Sequence, residues 1–163
     1  MAPLITMITG IGRACAISFA REGCDQIALA DMNFEGSEET ARLIKNIRPD
    51  IQEVYSDKVD VSRPEDVKKF MEQVATRYGR IDYAVNAAGV LGPSMPSHEM
   101  SIEDFDKIVN VDYRGLWLCS REELKYMTRQ DPLPTHDGRQ GNRGAIVNIA
   151  SQLGIVARTT ARE

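Results

Sequence analysis

Five short groups of residues in this 163-residue chain have types and spacings suited to chemistry. The first is Thr9-Gly10-Ile11-Gly12, set between an apolar run (Leu4, Ile5, Met7, Ile8) and a helical pattern. The second is Asp31, which ends another apolar run, Ile27-Ala28-Leu29-Ala30. Strand, glycine turn, helix, strand and terminal acid is the order that a dinucleotide site requires. Glycines let the backbone turn sharply and approach a pyrophosphate, and a helix N-terminus adds unpaired N–H donors and a positive dipole. The acid falls about twenty residues past the glycines, where a carboxylate can accept from a ribose 2′-hydroxyl. A plain glycine turn of any α/β protein is the other reading of the unit, and this turn is unusually short. The remaining groups, Asp60, Asn86-Ala87-Ala88-Gly89 and Ser151, each follow a strand-like run.

Bringing these groups to one edge requires strands and helices that alternate. A helix is predicted from Arg13 to Glu22, broken at Gly23. A second is predicted from Phe34 to Ile47, with Ala41, Leu43, Ile44 and Ile47 facing in and Pro49 closing it. Ile51 to Val59 reads as a strand ending at Asp60-Val61. Ser62 offers an N-cap and Pro64 a first helical residue for the next helix. Its Val67, Phe70, Met71, Val74 and Tyr78 form one apolar face, and Gly79 stops it. Ile81 to Val85 is a short strand leading into Asn86, and Gly92, Pro93 and Pro96 mark a loop. Ser101 with Asp104 is a capping signal for a long helix carrying Phe105, Ile108, Val109, Leu116, Leu118, Leu124 and Met127. Residues 130–144 read as an exposed connection, and Ala145 to Ile149 as a fifth strand. The fold class expected is α/β, a Rossmann-like, doubly wound parallel sheet with ligands at the carboxyl ends of its strands.

Composition narrows the function classes. A chain of this length fits a single domain, residues 1–163, and its apolar (42%) and charged (27%) fractions are those of a soluble globular protein. A net charge of −4 lacks the basic footprint of a nucleic-acid partner. No apolar run approaches a membrane span, and the N-terminus lacks a signal peptide's basic region and long apolar stretch. Cys15, Cys24 and Cys119 form no paired framework, so reduced thiols and a cytoplasmic location are expected, with Cys15 and Cys119 as core packing. His98 and His136 are too isolated to suggest a metal site.

With these residues in order, the chain resembles the short-chain dehydrogenase/reductase family across essentially its whole length. Ile8-Thr9-Gly10-Ile11-Gly12-Arg13-Ala14 is similar to the family's glycine-rich cofactor turn, and Asp31 to its acid after the second strand. Asp60-Val61 resembles the pair that contacts adenine. Val85-Asn86-Ala87-Ala88-Gly89 resembles the Asn-Asn-Ala-Gly signature, with Ala87 in the second place. Asn110 to Gly115 resembles the segment with the catalytic asparagine, and Gly144 to Ser151 the strand ending in the catalytic serine. The Asp-Tyr-Arg-Gly and Ala-Ser-Gln-Leu-Gly stretches are similar to fungal secondary-metabolism members.

The resemblance implies an NAD- or NADP-dependent oxidoreductase that interconverts a small-molecule ketone and a secondary alcohol by hydride transfer, and a possible homo-oligomer. It also implies five of the usual seven strands. Ser151 would bind the substrate oxygen; its other reading is a strand-end cap. Asp112, rather than Asn110, occupies the asparagine position, and an ionised carboxylate accepts hydrogen bonds but cannot donate them. Its other reading is an exposed helix acid. Gly10, Ile11 and Gly12 would border the pyrophosphate. Asp31 would favour NAD by repelling a 2′-phosphate, or would cap the following helix, or both. Asp60 would accept from the adenine amine or merely cap a turn, and Asn86 and Gly89 would border the ribose and nicotinamide. Arg121 would reach the cofactor region or simply be a solvated helix arginine.

Two departures separate the chain from a working family member. The glycine turn is about four residues shorter than the family pattern, and the sequence ends before the family's Tyr-x-x-x-Lys motif. None of Tyr55, Tyr78, Tyr83, Tyr113 and Tyr126 has a lysine four residues later. An inactive remnant, or a nucleotide-binding or interaction module, is therefore the alternative expectation.

Overall fold

The computed structural model describes residues 3–7 and 10–155. Ile8 and Thr9, part of the expected cofactor turn, lie outside the described residues. Five strands, β1 (Leu4–Met7), β2 (Gln26–Asp31), β3 (Glu53–Lys58), β4 (Tyr83–Asn86) and β5 (Ala145–Asn148), form one parallel sheet in the order β3-β2-β1-β4-β5. This is the doubly wound order expected, and it reverses between β1 and β4, where such sheets open a crevice at their carboxyl ends. The register makes that edge level. Met7 pairs with both Ala30 and Asn86, Ala30 with Asp57, and Asn86 with Asn148, so all five strands finish within one residue of a common row, β2 and β3 running on to Asp31 and Lys58.

Helices cover both faces. Between β1 and β2 lies α1 (Gly10–Arg21), between β2 and β3 lies α2 (Phe34–Ile47), and between β3 and β4 lies α3 (Pro64–Tyr78). From β4 the chain runs through a loop into α4 (Ile102–Ile108), a π-helical turn (Val109–Gly115) and α5 (Leu116–Met127). Ile27 and Leu29 pack with Ala16, Ala20, Ala41 and Ile44 on one face. Ala28 and Ala30 pack with Val67, Phe70, Met71, Val74 and Cys119 on the other. Buried on both faces, β2 reads as the unbroken apolar run typical of a parallel strand. The whole predicted face of α3 is buried, and Gly79 closes the helix at φ 75°, where a side chain would be strained.

Several expectations need correction. Helix α1 begins at Gly10 rather than Arg13, because only two residues separate it from β1 and the glycines are drawn into its first turn. The inward face of α2 does not include Leu43 and Ile47, which are 37% and 38% exposed. Its buried stripe runs through Ser37, Thr40, Ala41 and Ile44. The Ser37 and Thr40 hydroxyls donate back to the carbonyls of Phe34 (2.8 Å) and Gly36 (2.9 Å), so small polar residues sit where the periodicity suggested large apolar ones. Strand β3 starts at Glu53, since the Ile51 N–H donates to Arg48 in the turn after α2. The Ile81 N–H is taken by Gln130 Oε1 (3.1 Å), and β4 starts at Tyr83. The cap position of α3 is Arg63, without a side-chain bond, because the Ser62 hydroxyl donates to Asp60. Phe105 and Leu124 on the long helix are 53% and 49% exposed, and Cys15 is only partly buried, whereas Cys119 is core.

Candidate active site at the carboxyl edge of the sheet

Helix α1 directs the N–H groups of its first three residues, Gly10, Ile11 and Gly12, which have no partner within the helix, toward the carboxyl edge of the sheet. A Cβ built on Gly10 would meet nothing within 4 Å, so the backbone there faces open space. Ile11 is exposed and Gly12 is buried within the helix. Asp31 closes β2 and accepts the Asn33 N–H through Oδ1 (2.8 Å). The capping oxygen of α2 is instead that of Asn33, which accepts from Gly36 N–H (3.1 Å). Partial burial raises the Asp31 carboxyl above its ordinary range, against the pull of the Asn33 N–H and the Arg13 charge. Arg13 is itself committed: its Nη2 donates to Glu39 (2.9 Å) and to the Gly36 carbonyl (3.2 Å).

Asp60 lies just past β3, where its Oδ1 accepts both the Ser62 N–H (2.9 Å) and the Ser62 hydroxyl (2.6 Å). The turn it holds is where the long helix docks. Arg114 Nη1 donates to the Ser62 carbonyl (3.0 Å), and Gly115 packs on Val61 so closely that a Cβ would lie 2.8 Å from Val61 Cγ2. The π-helical turn adds a residue to the winding at this junction, a local change common at functional sites. Asp112 projects from it toward the loop after β4. Its Oδ1 accepts the Val90 N–H (2.8 Å) and would stand 3.6 Å from a Cβ on Gly89. The structure thus brings Asp112 and Gly89 together.

Asn86 is 3% exposed and joins three elements. Its Nδ2 donates to Asn148 Oδ1 on β5 (2.9 Å) and to Glu123 Oε2 on α5 (3.1 Å), with Ser120 Oγ at 3.4 Å. The Ser120 hydroxyl also donates to Asn148 Oδ1 (3.2 Å). Three residues beyond Asn148, Ser151 is exposed and its carbonyl accepts the Gly154 N–H (3.2 Å), opening a short 3₁₀ turn. Arg121 points elsewhere: Nη1 contacts Glu122 Oε1 (2.7 Å), and the guanidinium lies 5.7 Å over the Trp117 ring. Glu123, Ser120 and Asn148 were not singled out from the sequence. The spacing Cys119, Glu123, Met127 puts Glu123 on a buried helical face, and an acid on such a face was the available signal.

No helix among the described residues is long and apolar enough to cross a membrane. No group of three or more His, Cys, Asp or Glu side chains among them could hold a metal ion.

This is a Rossmann-fold α/β protein whose distinctive polar residues gather at one sheet edge. A family model described as enoyl-(acyl carrier protein) reductase matches residues 6–161, and the chain belongs to the short-chain dehydrogenase/reductase family of oxidoreductases. It is similar to short-chain dehydrogenase fogB of Aspergillus ruber, 34% identical over 91% of this chain and 56% of that protein. It is also similar to short-chain dehydrogenase srdC of Neurospora crassa, 36% identical over 91% of this chain and 57% of that protein. The crystal structure of levodione reductase superposes with a TM-score of 0.82 at 31% identity, covering 98% of this chain and 57% of that one. The chain therefore spans a little over half the length of these relatives.

Proposed function

We infer that this chain is the nucleotide-binding domain of an NAD-preferring oxidoreductase that interconverts a ketone and a secondary alcohol. The observation that carries the reading is the level row of strand ends. Across it the strand order sets Asp60 after β3 and Asp31 at the end of β2, then Gly10, Ile11 and Gly12 after β1, then Asn86 and Gly89 at the end of β4 and Ser151 after β5, the order in which a dinucleotide would cross such an edge. The residues fit the group. Open space at Gly10 admits a phosphate to the α1 N-terminus, and the half-buried Asp31 carboxylate, which takes backbone N–H groups from Asn33 and Met32, has lone pairs left to accept from a ribose hydroxyl. Asp31 opposes a 2′-phosphate, and Arg13, tied to Glu39, offers no guanidinium to receive one. When bound, the nicotinamide supplies or accepts the hydride; Ser151 would orient the substrate oxygen, as its hydroxyl both donates and accepts.

Asp112 holds the Gly89-Val90 loop through Oδ1, so an altered proton relay would fall to its Oδ2. The Asp-Tyr-Arg-Gly and Ala-Ser-Gln-Leu-Gly stretches support a place in secondary metabolism, and three cysteines with no disulfide among the described residues a cytoplasmic one. Exposed Phe105, Tyr113, Trp117 and Leu124 along the long helix support association between copies. A second reading, nucleotide binding without turnover, is favoured because none of Tyr55, Tyr78, Tyr83, Tyr113 and Tyr126 has a lysine four residues later to lower its pKa.

Calorimetric titration with NADH and NADPH, followed by nicotinamide absorbance with a panel of ketones, separates these readings. Tighter NADH binding with turnover supports the first, and binding without turnover the second. Absence of binding by either nucleotide overturns both.

A further inference from the structure

One buried acid has no task in the nucleotide reading. Glu123 is 0% exposed, yet among the described residues its carboxyl receives a single hydrogen bond, from Asn86 Nδ2 to Oε2. Among the described residues Glu123 Oε1 and Asn86 Oδ1 are both buried oxygens without a partner. Among the described residues no cation offsets the carboxyl, since Arg121 and Lys125 each place a nitrogen 2.7 Å from Glu122 instead. The other groups facing it are named easily. From α5 come Ser120 and Cys119, whose thiol is pushed far up by burial first and by Glu123 second. From β4 and β5 come the neutral amides of Asn86 and Asn148. The α3 face packed against α5 is apolar (Val67, Phe70, Met71, Val74), and Glu72 pairs with Lys68 on its solvent side.

An ionised carboxylate in this wall would be a buried charge with one neutral donor, an arrangement that folded proteins avoid by neutralising the group. A carboxylic acid instead brings a donor to a place where two oxygens lack one. We propose that Glu123 carries its proton in the folded chain and serves as the positioning residue for the carboxyl ends of β4 and β5. The neutral acid accepts from Asn86 Nδ2 and supplies the hydrogen bond that Asn86 Oδ1 lacks. Held at both ends, the Asn86 side chain fixes Asn148 at 2.9 Å, and with it the strand that continues to Ser151. Losing the proton to solvent places two or more acceptors against one another and loosens the junction of α5 with both strands.

The consequence is a pH dependence of definite sign. Burial pushes the Glu123 carboxyl from 4.5 up to about 7, against the smaller pull of the Asn86 bond. Between those values the folded chain keeps a proton that the unfolded chain has released, so stability falls as pH rises and levels off above about 7. Across that window the unfolding constant gains about two orders of magnitude from this group.

Urea unfolding of the full chain and of Glu123→Gln, from pH 5 to pH 8.5, tests the proposal. The variant keeps a donor and an acceptor and cannot ionise. The expected result is a ratio of unfolding constants, unmodified over variant, that rises about a hundredfold between pH 5 and pH 8. A ratio independent of pH overturns the proposal. Should the variant fail to fold, carbon NMR of glutamate carboxyls in the unmodified chain decides. One midpoint near neutrality supports the proposal, and midpoints all below about 5.5 overturn it. Neither readout involves nucleotide, so a chain that shows this titration but binds no NADH would count against the proposed function alone.

Discussion

Asp112 and Asp31 are two exposed or half-exposed carboxylates whose partners define separate tasks. Asp112 accepts one backbone N–H, from Val90, across the gap between the long helix and the β4 loop. Replacing it with alanine removes the acceptor and should cost about 0.5–1.5 kcal/mol in urea unfolding, with faster hydrogen exchange at Val90. Asp112→Asn keeps a side-chain oxygen in the same place and should behave like the unmodified chain in both measurements. Equal loss in the two variants would show that charge, not the acceptor, matters there. Asp31→Ala should weaken NADH binding about tenfold in calorimetry while leaving NADPH binding unchanged or improved, since the change removes an acceptor for one ligand and a repulsion for the other. The sequence could place both acids at the right strand and helix, because such assignments need only order along the chain. It could not find the partner of Asp112, which sits 22 residues away on a loop. Nor could it see that Asn33 would take over the capping of α2 from Asp31.

Among the elements, the long helix after β4 departs most from its periodicity. Ser101 caps it as the sequence predicts, accepting the Asp104 N–H at 3.0 Å. After seven α-helical residues the helix widens into the Val109–Gly115 turn, which no apolar spacing announces. The turn is legible only together with its tertiary contact, the seat of Gly115 on Val61. A methyl group at Gly115 would fall 2.8 Å from Val61 Cγ2 and 3.2 Å from the carbonyl oxygens of Val61 and Asn110. Val61 is buried and stiff at χ1, so it cannot step aside cheaply. Gly115→Ala should therefore destabilise the chain by about 1–3 kcal/mol in urea unfolding, a typical cost of overpacking. Gly10→Ala is the matched control, because a Cβ there meets nothing within 4 Å. Helix α3 shows the opposite case, with every apolar position of its predicted face buried. Its pattern needed only the sheet as partner, whereas the long helix answers to a loop, a turn and a strand at once.

For the molecule as a whole, the sheet has unequal flanks. Strand β2 is covered on both faces, but β5 lies at the end of the strand order, and three of its four residues are exposed. Val147, paired in register with Val85, is 52% exposed on the face where Val85 is buried. A short edge strand with an exposed branched apolar residue is a template for pairing with another copy. Val147→Lys places a charge on that edge without disturbing a packed neighbour. Light scattering at rising protein concentration should show less aggregation of the variant, with its unfolding free energy within about 0.5 kcal/mol of the unmodified chain. Unchanged aggregation would direct attention to the exposed Phe105, Tyr113, Trp117 and Leu124 on the long helix, and Trp117→Asp should then lower the measured mass. The two variants act on surfaces separated by the Asn86, Ser120, Glu123 and Asn148 junction. Their effects on association should therefore add unless β5 and α5 move as one body, and departure from additivity would measure how firmly that junction couples the edge strand to the helix.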